Sequence, residues 1–446
     1  MIEECQMTDV QRGTIGPVAP TTVGQYLRNL GPGLLVAMSW LGAGDLVSSA
    51  VSGGNYGYGL MWALALALIC RYFFTAAIAR YALCNVVGDR SVLEGFGALW
   101  RHLPATIGVL AFLSGFILQT FLAVTAGTAL FHLSGGLGGQ RWGVFGWTVL
   151  VVAITAVMLV RREHYRTLEI IARVKVGVLV LTFVTAAALS RPDAGEVVRG
   201  LAFGLPPDQG PFGTLLVAAA IIGVVGGSAG NLMYPEFIRN KGWSGPGFMR
   251  IAYLDLLLGV VAVIIVNLSI WIVGAQVLHA RGGTVKTLPD LAAMMGTAIG
   301  AIGPWLLWVG LFFVAFCSFS AYASGYTQIL FRGMHRSATV RAAQYPEPKA
   351  DPLFKRVQIG VMVLVPVVFA LPVFPEALSM TVIGSATAGL LAPVLMIGTI
   401  VLTNDRRRMA VGYTNRWWTN LLLCGVGLVG LWASYSTVRG LLELAA

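Results

Sequence analysis

The residues best placed to do chemistry stand in a row inside an otherwise apolar stretch: Leu41-Gly42-Ala43-Gly44-Asp45. An ionised Asp at the bilayer centre costs about 3 kcal/mol on insertion scales, so it is kept only where it faces protein, water or a cation. Glycines weaken helical backbone by about 1 kcal/mol each relative to alanine. Asp45 therefore offers a charged oxygen in a segment whose unwound peptides would add carbonyl oxygens. That chemistry suits cation binding. No HExxH helix, phosphate loop or nucleophile triad is present, so the chain reads as a non-enzyme without a resident cofactor.

A second segment of the same kind follows, Gly223-Val224-Val225-Gly226-Gly227-Ser228-Ala229-Gly230-Asn231, with Pro235 and Glu236 just beyond. Glycines with hydrogen-bonding side chains predict an unwound stretch between two half-helices. Irregular backbone at membrane depth is tolerated only where it is buried or lines a cavity. Small-residue packing between helices could explain the glycines alone, but it does not explain Asp45. The two breaks fall in spans one and six. Two repeats of five spans would be inverted with respect to each other, and paired breaks at matching positions point to the binding site of a secondary transporter. Half-helix C-termini favour cations there and N-termini favour anions.

The elements that must position these residues are membrane spans. Of 446 residues, 57% are hydrophobic and only 11% charged, against about 25% charged in soluble domains. A span needs about 20 apolar residues, and eleven stretches qualify: 31–53, 59–84, 104–133, 142–160, 167–190, 212–236, 250–277, 297–331, 355–374, 377–402 and 417–438. With the N-terminus inside, 23 Lys and Arg fall in inner segments and 6 in outer ones, the bias expected of an inner-membrane protein. The net charge of +11 is thus a topology signal: lipid is the expected partner and nucleic acid is excluded. Residues 1–30 lack the pattern of a secretory signal and read as a cytoplasmic tail. Residues 31–190 form the first five-helix repeat, 191–402 the second, and 403–446 an inner loop with the eleventh helix. The five scattered cysteines (Cys5, Cys70, Cys84, Cys317, Cys424) read as packing residues. The expected state is a monomer.

Gly31-Pro32-Gly33, the motif at 42–45 and Tyr56-Gly57-Tyr58 resemble the Nramp divalent-metal transporters, and the likeness runs over nearly the whole chain. It implies an all-α LeuT-type fold with eleven transmembrane helices, inverted repeats and helices 1 and 6 interrupted, moving divalent metals, often with protons. Nramps that carry metal have Asp-Pro-Gly-Asn in span one. Here those positions are Gly42, Ala43, Gly44 and Asp45, so the carboxylate stands at the family's Asn position. The family's span-six Met falls on Gly230, or on Ala229 if the register slips by one, and its His on Leu232 or Asn231. A span-ten Gln falls on Ser385. The third span, Leu103 to Leu133, has no acidic residue for a proton path. The pattern resembles a divergent Nramp-related branch.

With no sulfur or imidazole, the expected site is Asp45, Gly42, Gly227, Ser228, Gly230 and Asn231, offering mainly oxygen. Such sites suit hard ions such as Mg²⁺, Mn²⁺ or Ca²⁺. Pathway or gating candidates are Glu236, Asp255, Gln119, Ser385 and Asn55. Glu236 reads equally as an interfacial pair with Arg239, Asp255 as a partner of Arg250, and Gln119 as an interhelical hydrogen bond; Arg71 reads as a side chain snorkelling to the interface or as the neutraliser of a buried carboxylate. The expected function is alternating-access transport of a divalent cation. The alternatives are an amino-acid or organic-cation carrier on the same fold, or a transport-inactive sensor.

Overall fold

Apolar stretches too long for a loop and too poor in charge for water become helices, because a helix pairs its own backbone polar groups. A computed structural model describes residues 41–160, 177 and 179–445. Among them the regular structure is helical, apart from two isolated bridges. Among the described residues, nine helices are long and apolar enough to cross a membrane. We number the principal helices α1 (Ala43–Tyr56), α2 (Met61–Cys84), α3 (Leu103–Leu133), α4 (Gln140–Val160), α5 (Leu179–Leu189), α6 (Thr214–Ile221), α7 (Tyr234–Asn240), α8 (Met249–Val273), α9 (Leu288–Ile299), α10 (Ile302–Ser337), α11 (Pro352–Ile359), α12 (Ala377–Thr387), α13 (Ala392–Asn404) and α14 (Trp417–Ala445). Every expected span coincides with one or more of them. The upstream parts of spans one and five, with the tail 1–30, lie outside the described residues.

Three elements depart from plain spans. α1 has 14 residues, all buried, and at about 21 Å it is too short to cross a bilayer. The sixth span runs α6, a wide turn Ile222–Gly227, extended Ser228, a tight turn Ala229–Met233, then α7. The tenth is also interrupted, between α12 and α13, a break the sequence reading did not anticipate. Pro393 has no N–H to offer the Gly389 carbonyl one turn back. Likewise unanticipated is α9, in an expected loop. Its signal is Thr287-Leu288-Pro289-Asp290, where Asp290 Oδ2 accepts the Thr287 N–H at 2.8 Å and proline sits in the first turn, a capping arrangement.

Glycine is abundant, with 55 in the sequence, and where it lies between helices it lets them touch backbone to backbone. A Cβ on Gly53 of α1 would overlap the Trp271 carbonyl of α8, and one on Gly115 of α3 would enter the Tyr326 ring of α10. Gly223 and Gly389 meet where the broken sixth and tenth spans cross, a Cβ on Gly223 falling 2.6 Å from the Ser385 carbonyl oxygen. Lipid gives no hydrophobic drive between helices, so close packing of this kind holds the bundle together.

Gly53→Ala is expected to lower the thermal unfolding temperature in detergent, since overpacking costs about 1–3 kcal/mol. Gly146→Ala, on exposed α4 with nothing within 4 Å of the added carbon, should hold or raise it. Equal behaviour of the two would show that the α1–α8 contact is not tight.

Candidate functional site

Leu41 and Gly42 are buried and not helical, and α1 starts at Ala43. Asp45 is therefore in the first turn, and its Oδ2 accepts the Gly42 N–H at 2.8 Å. A carboxylate at a helix N-terminus is stabilised by the free N–H groups and by the dipole. Asp45 is fully buried. Its other oxygen, Oδ1, lies 3.9 Å from Nη1 of Arg71.

Arg71 comes from the middle of α2, ten residues in from Met61. It does not snorkel. It is 1% exposed, and the reason is distance: the nearer end of α2 is about 15 Å away, beyond the reach of the side chain. Instead the guanidinium points to the two breaks. Nη2 donates to the Val224 carbonyl at 3.2 Å, in the last turn before span six unwinds. Carbonyls at a helix C-terminus lack intrahelical partners and carry partial negative charge. The guanidinium thus lies between the one carboxylate and the carbonyl end of the first half of span six. At an effective dielectric near 20, the Asp45–Arg71 attraction is about 4 kcal/mol before desolvation.

The remaining expected residues are distributed around this pair. Gly42 faces Asp45 and the Ser318 hydroxyl, which donates to the Leu41 carbonyl at 3.4 Å. Ser385 packs on Gly44, its Oγ 2.7 Å from where a Cβ would stand, and that Oγ has no hydrogen-bond partner among the described residues. Ser228 Oγ and the Tyr326 hydroxyl lie against Gly230. Asn231 Nδ2 closes the break on the Gly226 carbonyl at 3.4 Å. Gly227 turns the other way, against Ala392 and an apolar crevice with Cys70 and Gly430. It does not face Asp45.

Three pathway candidates act as braces. Gln119 Nε2 bridges the Phe319 and Met362 carbonyls at 3.0 and 2.9 Å, joining α3 to α10 and to the turn after α11. Asn55 Oδ1 accepts the Val285 N–H at 2.6 Å, pinning the loop before α9 to the end of α1. Asp255 is buried on α8, with the Tyr234 hydroxyl 3.4 Å from its Oδ2. Glu236 belongs to an ion-pair web at the face rich in Lys and Arg. It pairs with Arg332, lies 3.6 Å from Arg239, and accepts the Gln328 amide at 2.8 Å. The web ties α7 to α10 and, through Arg239 and Glu347 at 4.0 Å, to the loop before α11.

Sequence reasoning set the carboxylate-neutralising role of Arg71 behind snorkelling, although its depth in α2 was a readable signal. It missed Asn267, which holds the α1 hydroxyl of Ser49 at 3.0 Å and carries no motif. Among the described residues, no group of three or more His, Cys, Asp or Glu side chains could hold a metal. Any cation here would meet one carboxylate, hydroxyls and backbone carbonyls.

The chain matches the family model described as natural resistance-associated macrophage protein-like (Nramp) over residues 33–438. Among curated relatives, the divalent metal cation transporter MntH of Brucella suis is 26% identical over 317 residues, 69% of this chain and 67% of that protein. The protein of that name from Chromohalobacter salexigens is 26% identical over 61% of this chain and 62% of its own length. The chain thus aligns with about two thirds or less of these relatives. The solved structure of the Eremococcus coleocola manganese transporter superposes with a TM-score of 0.68 at 16% identity, covering 97% of this chain and 92% of that one, so the overall fold is shared.

At the basic face, Asp351 caps α11 through the Leu353 N–H at 2.9 Å and accepts Arg341 Nε at 2.7 Å. The Arg341 hydrogen bond, outweighing the cost of burial, holds its carboxyl down at about 2 from an ordinary 3.8. A depressed carboxyl stabilises the fold above the ordinary value and loses that contribution as pH falls through the folded one. The gap in unfolding temperature between wild type and Asp351→Asn should be full at pH 5 to 7 and shrink between about pH 4 and pH 2. A pH-independent gap would show that the charge of Asp351 contributes nothing.

Proposed function

This chain belongs to the Nramp family, and we propose that it is a secondary transporter that moves a hard divalent metal cation, such as Mn²⁺ or Mg²⁺, by alternating access. The observation that carries this reading is the convergence on one buried carboxylate of α1, which begins just after the non-helical Gly42, and of the interrupted sixth span, which opens at Ser228. Asp45 is the charged ligand and unwound backbone supplies further oxygens. Oxygen donors without thioether or imidazole suit hard ions. The Lys and Arg distribution supports an N-terminus inside a bacterial-type inner membrane, and the chain's partners are lipid and its substrate.

In alternating access the basic face has to open, and the Glu236 web holds α7 to α10 there. Glu236→Gln weakens that hold. A cysteine introduced at Ser228 should then react several-fold faster with a maleimide supplied from the basic face, and an unchanged rate would remove Glu236 from gating.

Transport is tested with purified protein in liposomes, challenged with Mn²⁺, Mg²⁺, Ca²⁺ and a panel of amino acids. Metal uptake is expected in wild type, with at least a tenfold loss in Asp45→Asn. Equal metal flux in both would sink the ligand assignment, and amino-acid flux without metal flux would replace the metal reading.

A further inference from the structure

The site already contains a cation. Two sources of negative potential converge at the breaks, the Asp45 carboxylate and the Val224 carbonyl, and Arg71 reaches both, at 3.9 and 3.2 Å. Asp45 and Arg71 are at most 1% exposed, so solvent does little to screen them. The pair is neutral overall. A divalent ion bound to Asp45 with the guanidinium still in place would leave an excess of two positive charges in a buried volume, which low-dielectric surroundings penalise heavily.

We propose that Arg71 is a tethered competitor for the transported cation, a specificity-determining residue whose guanidinium must leave the Asp45–Val224 position before substrate can occupy it. This inference rests on the transport reading above. A side chain fixed to α2 competes at a high effective concentration. A monovalent ion brings no more charge than the guanidinium and gains nothing electrostatically by the exchange. A divalent ion brings twice the charge and does gain. Arg71 thereby sets a charge threshold: it excludes Na⁺ and K⁺ and lowers affinity for the divalent ion, which also eases its release. The contacts of Arg71 include Asp45 and Val224. The Tyr322 and Tyr326 rings of α10, packed edge-on at 5.4 Å, lie within electrostatic range of Arg71 and carry no formal charge to replace it.

The test uses the full chain, wild type, Arg71→Gln and Arg71→Lys. Mn²⁺ and Na⁺ binding are read by thermal shift, and Mn²⁺ uptake is read in liposomes. Arg71→Gln should bind Mn²⁺ at least tenfold more tightly, with a correspondingly lower KM, and should acquire competition by Na⁺ that wild type lacks. Arg71→Lys keeps the charge balance of the fold but offers one nitrogen where the guanidinium offers two, so it holds the two contacts less well. It should fall between the two, about threefold tighter than wild type, and it carries the test alone if Arg71→Gln does not fold. Mn²⁺ affinity in Arg71→Lys equal to or weaker than in wild type, or Arg71→Gln with unchanged affinity and no response to Na⁺, would overturn the proposal. Absence of metal flux in wild type is a different failure, that of the transport reading, because binding is read independently of flux.

Discussion

A charge buried at membrane depth has to be compensated where it stands, and in this protein that requirement falls on Asp45. Its compensation comes from three directions: the Gly42 N–H, the N-terminal end of α1, and the Arg71 guanidinium. Each constrains a different element. The first requires extended backbone just before α1. The second requires α1 to begin in the middle of the molecule. The third fixes the rotation of α2 and, through the Val224 carbonyl, the wide turn that follows α6. Removing one partner of such a pair is costlier than the pair is stabilising, typically by about 3–5 kcal/mol, because the other charge is left buried. The geometry of the broken spans and the ion pair are therefore one arrangement.

Bringing the start of α1 and the interrupted sixth and tenth spans to one place leaves little room between backbones. The crossing of spans six and ten at Gly223 and Gly389, and the seating of Gly44 on Ser385, Val224 and Phe121, leave no space for a β-carbon. Glycine has two roles in the same few residues: it loosens the helix and it admits the neighbour. Once the backbone is open, its polar groups need new partners. Asn231 supplies one for the Gly226 carbonyl and Arg71 one for Val224, as buried irregular backbone requires. The outer braces, Gln119 and Asn55, hold the surrounding helices in register without touching the pair.

How much of this was legible in the sequence follows from the range of each interaction. The breaks in spans one and six are local, written in glycines within a few residues, and the helical elements with their order were readable from hydropathy. The break in span ten was not. Its stretch is apolar throughout, and the cause is a single proline acting on Gly389 one turn back, in a crossing visible only once span six is in place. Gly227 was grouped with the site because it adjoins Ser228 in sequence, yet the wide turn before it rotates it toward α13. For Arg71, pairing with a buried carboxylate was ranked behind snorkelling, because snorkelling is what an intramembrane Arg usually does. Its distance from either end of α2 argued otherwise, but no sequence pattern links position 71 to position 45. Pairings across spans are the part of a membrane protein that hydropathy does not encode.

The pair also bears on how a site without sulfur or imidazole can be selective. Softness of ligands distinguishes metals by type, and the positions where the family pattern carries Met and His are here glycine or alanine, and leucine or asparagine. What is left to discriminate is charge and hydration. A lone carboxylate would attract any cation, sodium most abundantly. A carboxylate already matched by a guanidinium attracts only what can outbid one positive charge. At position 45, in the N-terminal turn of α1, the acid stands beside α2, where the competing cation is placed 3.9 Å away.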